Sequence, residues 1–293
     1  MRFLSMRLAR LAQSVLSLLL LLVASQAFAG ALPDGMGRFL FADQSAAPGK
    51  QIPVWYYKPG GSTANARVMF VMHGADRRAD QYRDAWVGFA KKYKLFVVVP
   101  EFAEKDFSID DYQFGNVTDP REERWNFWII EHLFDELRRR EGIASDKYYL
   151  FGHSAGAQFV HRFMLFMPAP RVRVAFAANA GAYTLPVFAA SAFPMALDGG
   201  RVDAAQLAAA FSRRLVVMLG EDDVDANGEG LPTSPEAMAQ GPNRYERGRN
   251  FFRLAQRQAA QQHAPLRWQL LSVPRVGHSS SDMAEAALRY LFD

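Results

Sequence analysis

The chain of 293 residues contains no cysteine. That excludes disulfide staples, thiolate metal sites and a lipidated N-terminal cysteine. Like-charge blocks of the length of a nucleic-acid-binding arm are missing as well: 34 lysines and arginines stand against 30 acids, a formal net charge of +4. Three of the arginines, Arg2, Arg7 and Arg10, lie at the very start, and without them the balance is 31 basic to 30 acidic residues. The others are scattered among acids and aromatics, so no nucleic-acid partner is expected. Internal repeats, low-complexity tracts and breaks in composition are absent, and nothing signals a second domain. Histidine is scarce, with six, which narrows any search for a catalytic base.

What is present begins with a leader pattern. The three early arginines precede an apolar run over 11–23 that ends in Ala27-Phe28-Ala29. Positive, apolar, then small-x-small is the order of a cleaved secretory signal. We expect residues 1–29 to be a signal peptide and the mature protein to be secreted or periplasmic, with no stable membrane insertion after cleavage. The alternative is an uncleaved anchor, because the stretch up to Ala29 approaches spanning length. Half of the chain is hydrophobic, with 23 phenylalanines, enough for one large core without staples. A single domain over 30–293 matches that size.

Apolar and β-branched runs recur at 67–72, 95–100, 147–151, 172–178, 215–219 and 268–273. Continuous runs of this kind suit parallel strands buried on both faces. An earlier alternation, Ile52, Val54 and Tyr56 against Pro53, Trp55 and Tyr57, predicts a half-buried strand, and Pro53 argues for an edge. Stretches with helical spacing lie between the runs, at 80–93, 122–140, 155–167, 245–262 and 282–291. Alternation of strand and helix predicts an α/β fold, a doubly wound, mostly parallel sheet with helices on both faces. The irregular stretches 101–121 and 179–201 are expected to line a cleft at the C-terminal strand ends.

Gly152-His153-Ser154-Ala155-Gly156 follows one strand directly and opens a helix. This G-x-S-x-G pattern in a strand–turn–helix context marks Ser154 as a nucleophile, with a helix cap as the plainer reading. The turn is so tight that a side chain at 152 or 156 would collide with neighbouring backbone. It also sets the serine at a helix N-terminus, where free N–H groups favour developing negative charge. Of the histidines, His132 and His161 fall within helices, His153 is the variable residue of the turn, and His263 precedes the last strand. His278 alone follows the final strand and precedes a helix, as a base should. The acid is expected after the run 215–219, where Asp222, Asp223 and Asp225 all qualify.

With Val71-Met72-His73-Gly74-Ala75, Gly152 to Gly156, Leu219-Gly220-Glu221-Asp222-Asp223 and Val276-Gly277-His278, the chain resembles the α/β-hydrolase superfamily. Within it the chain looks most like secreted, largely capless esterases of the polyhydroxyalkanoate depolymerase and feruloyl esterase type. The resemblance implies a single domain of that fold without a large cap. It selects Asp223 as the acid, on the family's G-x-x-D turn, ahead of Asp222 and Asp225. It places oxyanion donors on the backbone N–H groups of Ala75, or Gly74, and Ala155, and leaves the His73 imidazole a loop-stabilising part.

The expected reaction is cleavage of an ester by a Ser154–His278–Asp223 triad through an acyl-enzyme, with no cofactor and no metal. The substrate would be a small-molecule or polymeric ester. One rival concerns the acid loop: Asp223-Val224-Asp225-Ala226-Asn227-Gly228 fits the opening of a calcium loop. The twelfth position is Ser234, so the bidentate glutamate is missing. A serine peptidase, a binding protein on the same fold and an interfacial lipase are the functional alternatives. Phe107, Tyr112, Phe114 and the segment 183–193 could form an apolar substrate wall or anchor the loops in the core. Arg244, Arg247 and Arg249 could attract a carboxylate or pair with Glu246 and the acid loop.

Overall fold

The computed structural model describes residues 30–188, 192–198 and 201–293, so the leader lies outside the described residues. Residues 33–293 form one compact unit. Its centre is an eight-stranded sheet in the order β1-β2-β4-β3-β5-β6-β7-β8. The strands are β1 Gly35–Phe41, β2 Ile52–Lys58, β3 Arg67–Met72, β4 Leu95–Pro100, β5 Tyr148–His153, β6 Val172–Ala178, β7 Leu215–Gly220 and β8 Gln269–Val273. The first two are antiparallel to their neighbours; from β4 through β8 every pair is parallel. All residues of β4 and β7 are buried, as continuous apolar runs require when helices cover both faces.

The helices are α1 Ala79–Tyr93, α2 Ile109–Tyr112, α3 Trp128–Glu141, α4 Ala155–Phe166, α5 Ala204–Phe211, α6 Pro235–Gln240, α7 Arg244–Gln261 and α8 Ser280–Phe292. Trp86 and Ala90 of α1 share one core with Met283, Ala287 and Leu288 of α8, against Met69, Val71, Phe151 and Phe176 of the sheet. Phe70 points to the other face, where its ring meets Phe134 of α3 edge-on. Successive strand residues alternate faces, and that alternation divides the core into two layers. Among the described residues no helix is long and apolar enough to cross a membrane.

Two local expectations are corrected. Pro53 does not mark an edge strand, since β2 lies between β1 and β4. Its carbonyl accepts from Glu101 N just past the end of β4, so the missing N–H falls beyond the last ladder partner. The helix expected at 122–140 begins six residues later, preceded by a 3-10 turn at Glu122–Arg124. The buried side chains of α3 are Ile129, Ile130, Leu133, Phe134 and Leu137, with Glu131 beside them. Glu131 is held inside by Tyr148 and Arg171, at 2.6 Å from each. The Gly-containing strand β1 and the short helices α2, α5 and α6 carry too little periodicity to stand out in the sequence.

Candidate active site

Four neighbouring parallel strands, β5 to β8, end at one edge of the sheet, and each delivers a polar side chain there, directly or on the loop that follows. Ser154 follows β5, Asn179 follows β6, the loop with Asp223 follows β7, and the loop with His278 follows β8. Ser154 has φ 57 and ψ −115, a left-handed backbone that a non-glycine residue rarely adopts. Its N–H donates to Ala178 O at 3.0 Å and its carbonyl accepts from Gln158 N at 3.1 Å. Strand pairing and helix therefore meet at this single residue.

The flanking glycines have a steric cause. A Cβ at Gly152 would fall 2.2 Å from Gly156 O, and one at Gly156 would fall 2.1 Å from Met72 O. The second contact presses the start of α4 onto the end of β3. Every residue of α4 is buried, so the helix cannot swing away to relieve it. Ala155 opens α4, where helix geometry leaves backbone N–H groups without intrahelical acceptors.

On the β3 side lies the loop from His73 to Ala75. His73 is wholly buried; Nδ1 donates to Gly74 O at 2.9 Å and Nε2 accepts from Phe102 N at 3.1 Å. These bonds fix a neutral tautomer, and burial pushes its pKa down to about 4. Tyr112 donates its hydroxyl to His73 O at 2.6 Å and lies against the imidazole, 4.6 Å between centroids. A Cβ at Gly74 would fall 2.8 Å from the Tyr82 hydroxyl. The loop is thus clamped by side chains on both flanks, with Ala75 exposed.

On the β7 side, His278 Nδ1 bonds Asp223 Oδ2 at 2.8 Å; the aspartate is 4% exposed and the imidazole about a third. Asp222 N donates to Val276 O at 2.9 Å and Glu221 N to Val273 O at 3.0 Å, so the acid and histidine loops run as a pair. Gly220 allows this approach, because a Cβ there would fall 2.4 Å from Val276 O. His278 thus takes Asp223, not Asp222 or Asp225, as its hydrogen-bonded acid. The His278 ring lies 4.5 Å from that of His153, the residue before Ser154. Burial, His278 and Arg244 together push the His153 pKa well below its ordinary value.

One member of this edge escaped the sequence reading. Asn179, with φ 53, accepts from Gly220 N at 2.8 Å and donates to Gly277 O at 3.1 Å. It ties β6, β7 and the histidine loop together; the available signal was an asparagine at a strand end, where left-handed backbone is tolerated. Arg244 lies with Nη1 3.7 Å from Asp223 Oδ1. Arg247 donates instead to the carbonyls of Gly241 and Gly181, and Arg249 pairs with Glu246. His132 bonds Asp43 at 2.7 Å, and His161 bonds Ala157 O and accepts from Thr184 N, each at 2.9 Å.

The aromatic residues divide. Phe107 and Tyr112 are buried loop anchors around Phe102, and Tyr183 stacks on Phe251. Phe114 is half-buried and, with Phe193 and Pro194, lines a small cleft of about 140 Å³. Among the described residues no group of three or more histidine, aspartate or glutamate side chains is arranged to hold a metal ion.

A mostly parallel sheet with a left-handed serine at its strand–helix turn, and a histidine–aspartate pair at the same edge, defines the α/β-hydrolase class. Solved structures extend this. The chain is 38% identical to a poly(aspartic acid) hydrolase-1 from Sphingomonas sp. KT-1, over 89% of this chain and 100% of that one, with a TM-score of 0.85. It is 32% identical to a poly(3-hydroxybutyrate) depolymerase from Bordetella parapertussis, over 89% and 90%, with a TM-score of 0.84. An S-formylglutathione hydrolase from Agrobacterium tumefaciens, 16% identical over 89% and 95% with a TM-score of 0.55, shares the fold alone. No protein-family model matches the chain, and neither does any curated protein. The chain belongs to the α/β-hydrolase superfamily, among its hydrolases of esterase and depolymerase type.

Proposed function

We propose that this protein is a serine hydrolase that cleaves an ester bond of a small or polymeric substrate through Ser154, His278 and Asp223. The observation that carries the reading is the His278–Asp223 hydrogen bond of 2.8 Å at the sheet edge where Ser154 takes its left-handed turn. His278 Nε2 removes the proton from Ser154 Oγ as the oxygen attacks the substrate carbonyl carbon. Nδ1–H donates to Asp223, which orients the imidazole and stabilises its charged form. The oxyanion receives the N–H of Ala155 together with that of Ala75 or Gly74. His278 then protonates the departing alcohol, and water repeats the cycle to free the acid. No cofactor enters these steps. The leader pattern of residues 1–29 supports export, with secretion or the periplasm as the place of action.

A second reading is amide hydrolysis by the same residues. The specific observation in its favour is the 38% identity to a poly(aspartic acid) hydrolase, since that polymer's units are joined by amides. The test compares p-nitrophenyl esters of increasing acyl length, poly(3-hydroxybutyrate) and poly(aspartic acid) with the parent and Ser154→Ala, with calcium added or chelated. The expected result is hydrolysis that chelation leaves unchanged and that Ser154→Ala lowers by roughly a thousandfold or more. Release of aspartate oligomers alone would move the reading to the amide. Activity that survives Ser154→Ala would refute it.

A further inference from the structure

Residues 223–228 carry the D-x-D-x-N-G opening of a calcium loop, yet a side chain of the same chain fills the loop. Arg244, the first residue of α7, is 2% exposed. Its Nη1 lies 3.7 Å from Asp223 Oδ1, and its Nη2 donates to Glu229 O at 2.5 Å. A Cβ at Gly228 would fall 2.8 Å from Nη1, so the loop backbone closes directly on the guanidinium. Asp225 attracts the same group electrostatically. Tyr245 N donates to Asp223 O at 3.3 Å, so adjacent residues of α7 hold both the backbone and the carboxylate of Asp223. A buried cation at a helix N-terminus opposes the helix dipole and loses its hydration. Only strong local partners offset that, and the loop supplies a carboxylate and a carbonyl.

We infer that Arg244 is a positioning residue of the Ser154–His278–Asp223 triad, a built-in organic cation that closes the 223–229 loop and turns Asp223 towards His278. The inference rests on the serine-hydrolase reading above. It assigns the loop's cation site to a guanidinium instead of a metal, because the planar fork reaches Asp223 and Glu229 O at once, which a lysine ammonium cannot do. It also places a permanent positive charge behind the acid. The groups facing the pair are His153 from β5, held neutral by burial, the Tyr183 hydroxyl from the loop after β6, and Asp225 within the acid loop. Asp223 therefore divides its charge between Arg244 and the imidazolium. With Arg244 neutralised, the whole of that charge acts on the imidazole alone.

The test uses the full chain and the rate at which a fluorophosphonate labels Ser154, measured from about pH 5 to about pH 9, where such a base titrates. Arg244→Met is expected to slow labelling and to move its acid limb upward, because a positive charge beside Asp223 is removed. Arg244→Lys keeps the charge and is expected to keep the limb while labelling more slowly. Arg244→Ala is expected to regain rate with millimolar ethylguanidinium and not with calcium chloride. A limb in folded Arg244→Met that coincides with the parent's overturns the inference, as does rescue of Arg244→Ala by calcium. Should Arg244→Met fail to fold, Arg244→Lys decides, and a parent-like rate there overturns it. A parent that labels at Ser154 with a limb indifferent to Arg244 sinks this inference alone; a parent that takes no label sinks the serine-hydrolase reading with it.

Discussion

Acidification should unfold this protein through histidines that are locked neutral, and His73 gives the clearest magnitude. Its two ring nitrogens are already committed, Nδ1 as donor to Gly74 O and Nε2 as acceptor from Phe102 N. A second proton would break the Phe102 bond and set two donors face to face in a buried site. Its pKa accordingly falls from 6.5 to about 4 in the folded state. Above pH 6.5 neither folded nor unfolded chain carries this proton, and the stability is complete. As the pH falls below 6.5 the unfolded chain takes the proton and the folded one does not, so stability drains until about pH 4. The fall from 6.5 to about 4 corresponds to roughly 3 kcal/mol. Burial pushes His153 and His161 in the same direction. Urea unfolding followed by tryptophan fluorescence, at steps from about pH 7.5 to about pH 4.5, would measure the slope. His73→Gln should be less stable than the parent at neutral pH and lose stability more slowly on acidification, by up to about 1.4 kcal/mol per pH unit. Parallel curves for parent and variant would refute the reasoning.

Three further substitutions test packing and surface charge. Gly156→Ala drives a methyl onto the Met72 carbonyl, against backbone atoms of Met72 and His73, and should cost about 3 kcal/mol or more in stability. Gly88→Ala in α1, where a Cβ meets nothing within 4 Å, should instead stabilise by roughly 0.5 to 1 kcal/mol; thermal unfolding of the pair separates a clash from a general intolerance of alanine. The Asp43–His132 bond raises the pKa of the imidazole and lowers that of the carboxylate. The histidine's contribution is complete below its unfolded pKa and disappears as pH rises through its folded value, whereas the aspartate's is present above its unfolded pKa and disappears as pH falls. His132→Gln should therefore cost a few tenths of a kcal/mol more near pH 6 than near pH 9, after solvent screening; an equal loss at both would contradict the assignment.

The sheet was legible because buried parallel strands leave unbroken apolar runs, and 67–72, 95–100 and 172–178 coincide with β3, β4 and β6. The serine turn was legible for a different reason. Its two glycines are imposed by contacts of 2.1 and 2.2 Å, so the spacing itself records the geometry. Position in the chain distinguished His278 from five other histidines, but it could not report what surrounds them. His153 reads as a variable residue, yet it is buried against the His278 ring. Phe107 and Tyr112 have the composition of a substrate wall, and only packing reveals them as anchors beneath the loops. The start of α3 was misplaced because the tryptophans at 125 and 128 extend its apolar period through a turn that is 3-10.

The bonds of this edge that leave no trace in the sequence share a physical character: they run through backbone atoms. Asn179 joins Gly220 N to Gly277 O, Tyr112 holds the carbonyl of His73, and Arg244 reaches Glu229 O while its neighbour's N–H holds Asp223 O. A carbonyl or an N–H has no residue identity, so its partner leaves no motif. Yet these bonds fix the loops in which Gly74, Asp223 and His278 are set, and a shift of an ångström there would separate groups that must meet within hydrogen-bonding distance. The recognisable residues therefore lie in a few short runs, while those that hold them in register are spread over α2, the end of β6 and α7. A substitution at Asn179 or Tyr112 changes no reacting atom, and it acts on the same geometry as one at Ser154.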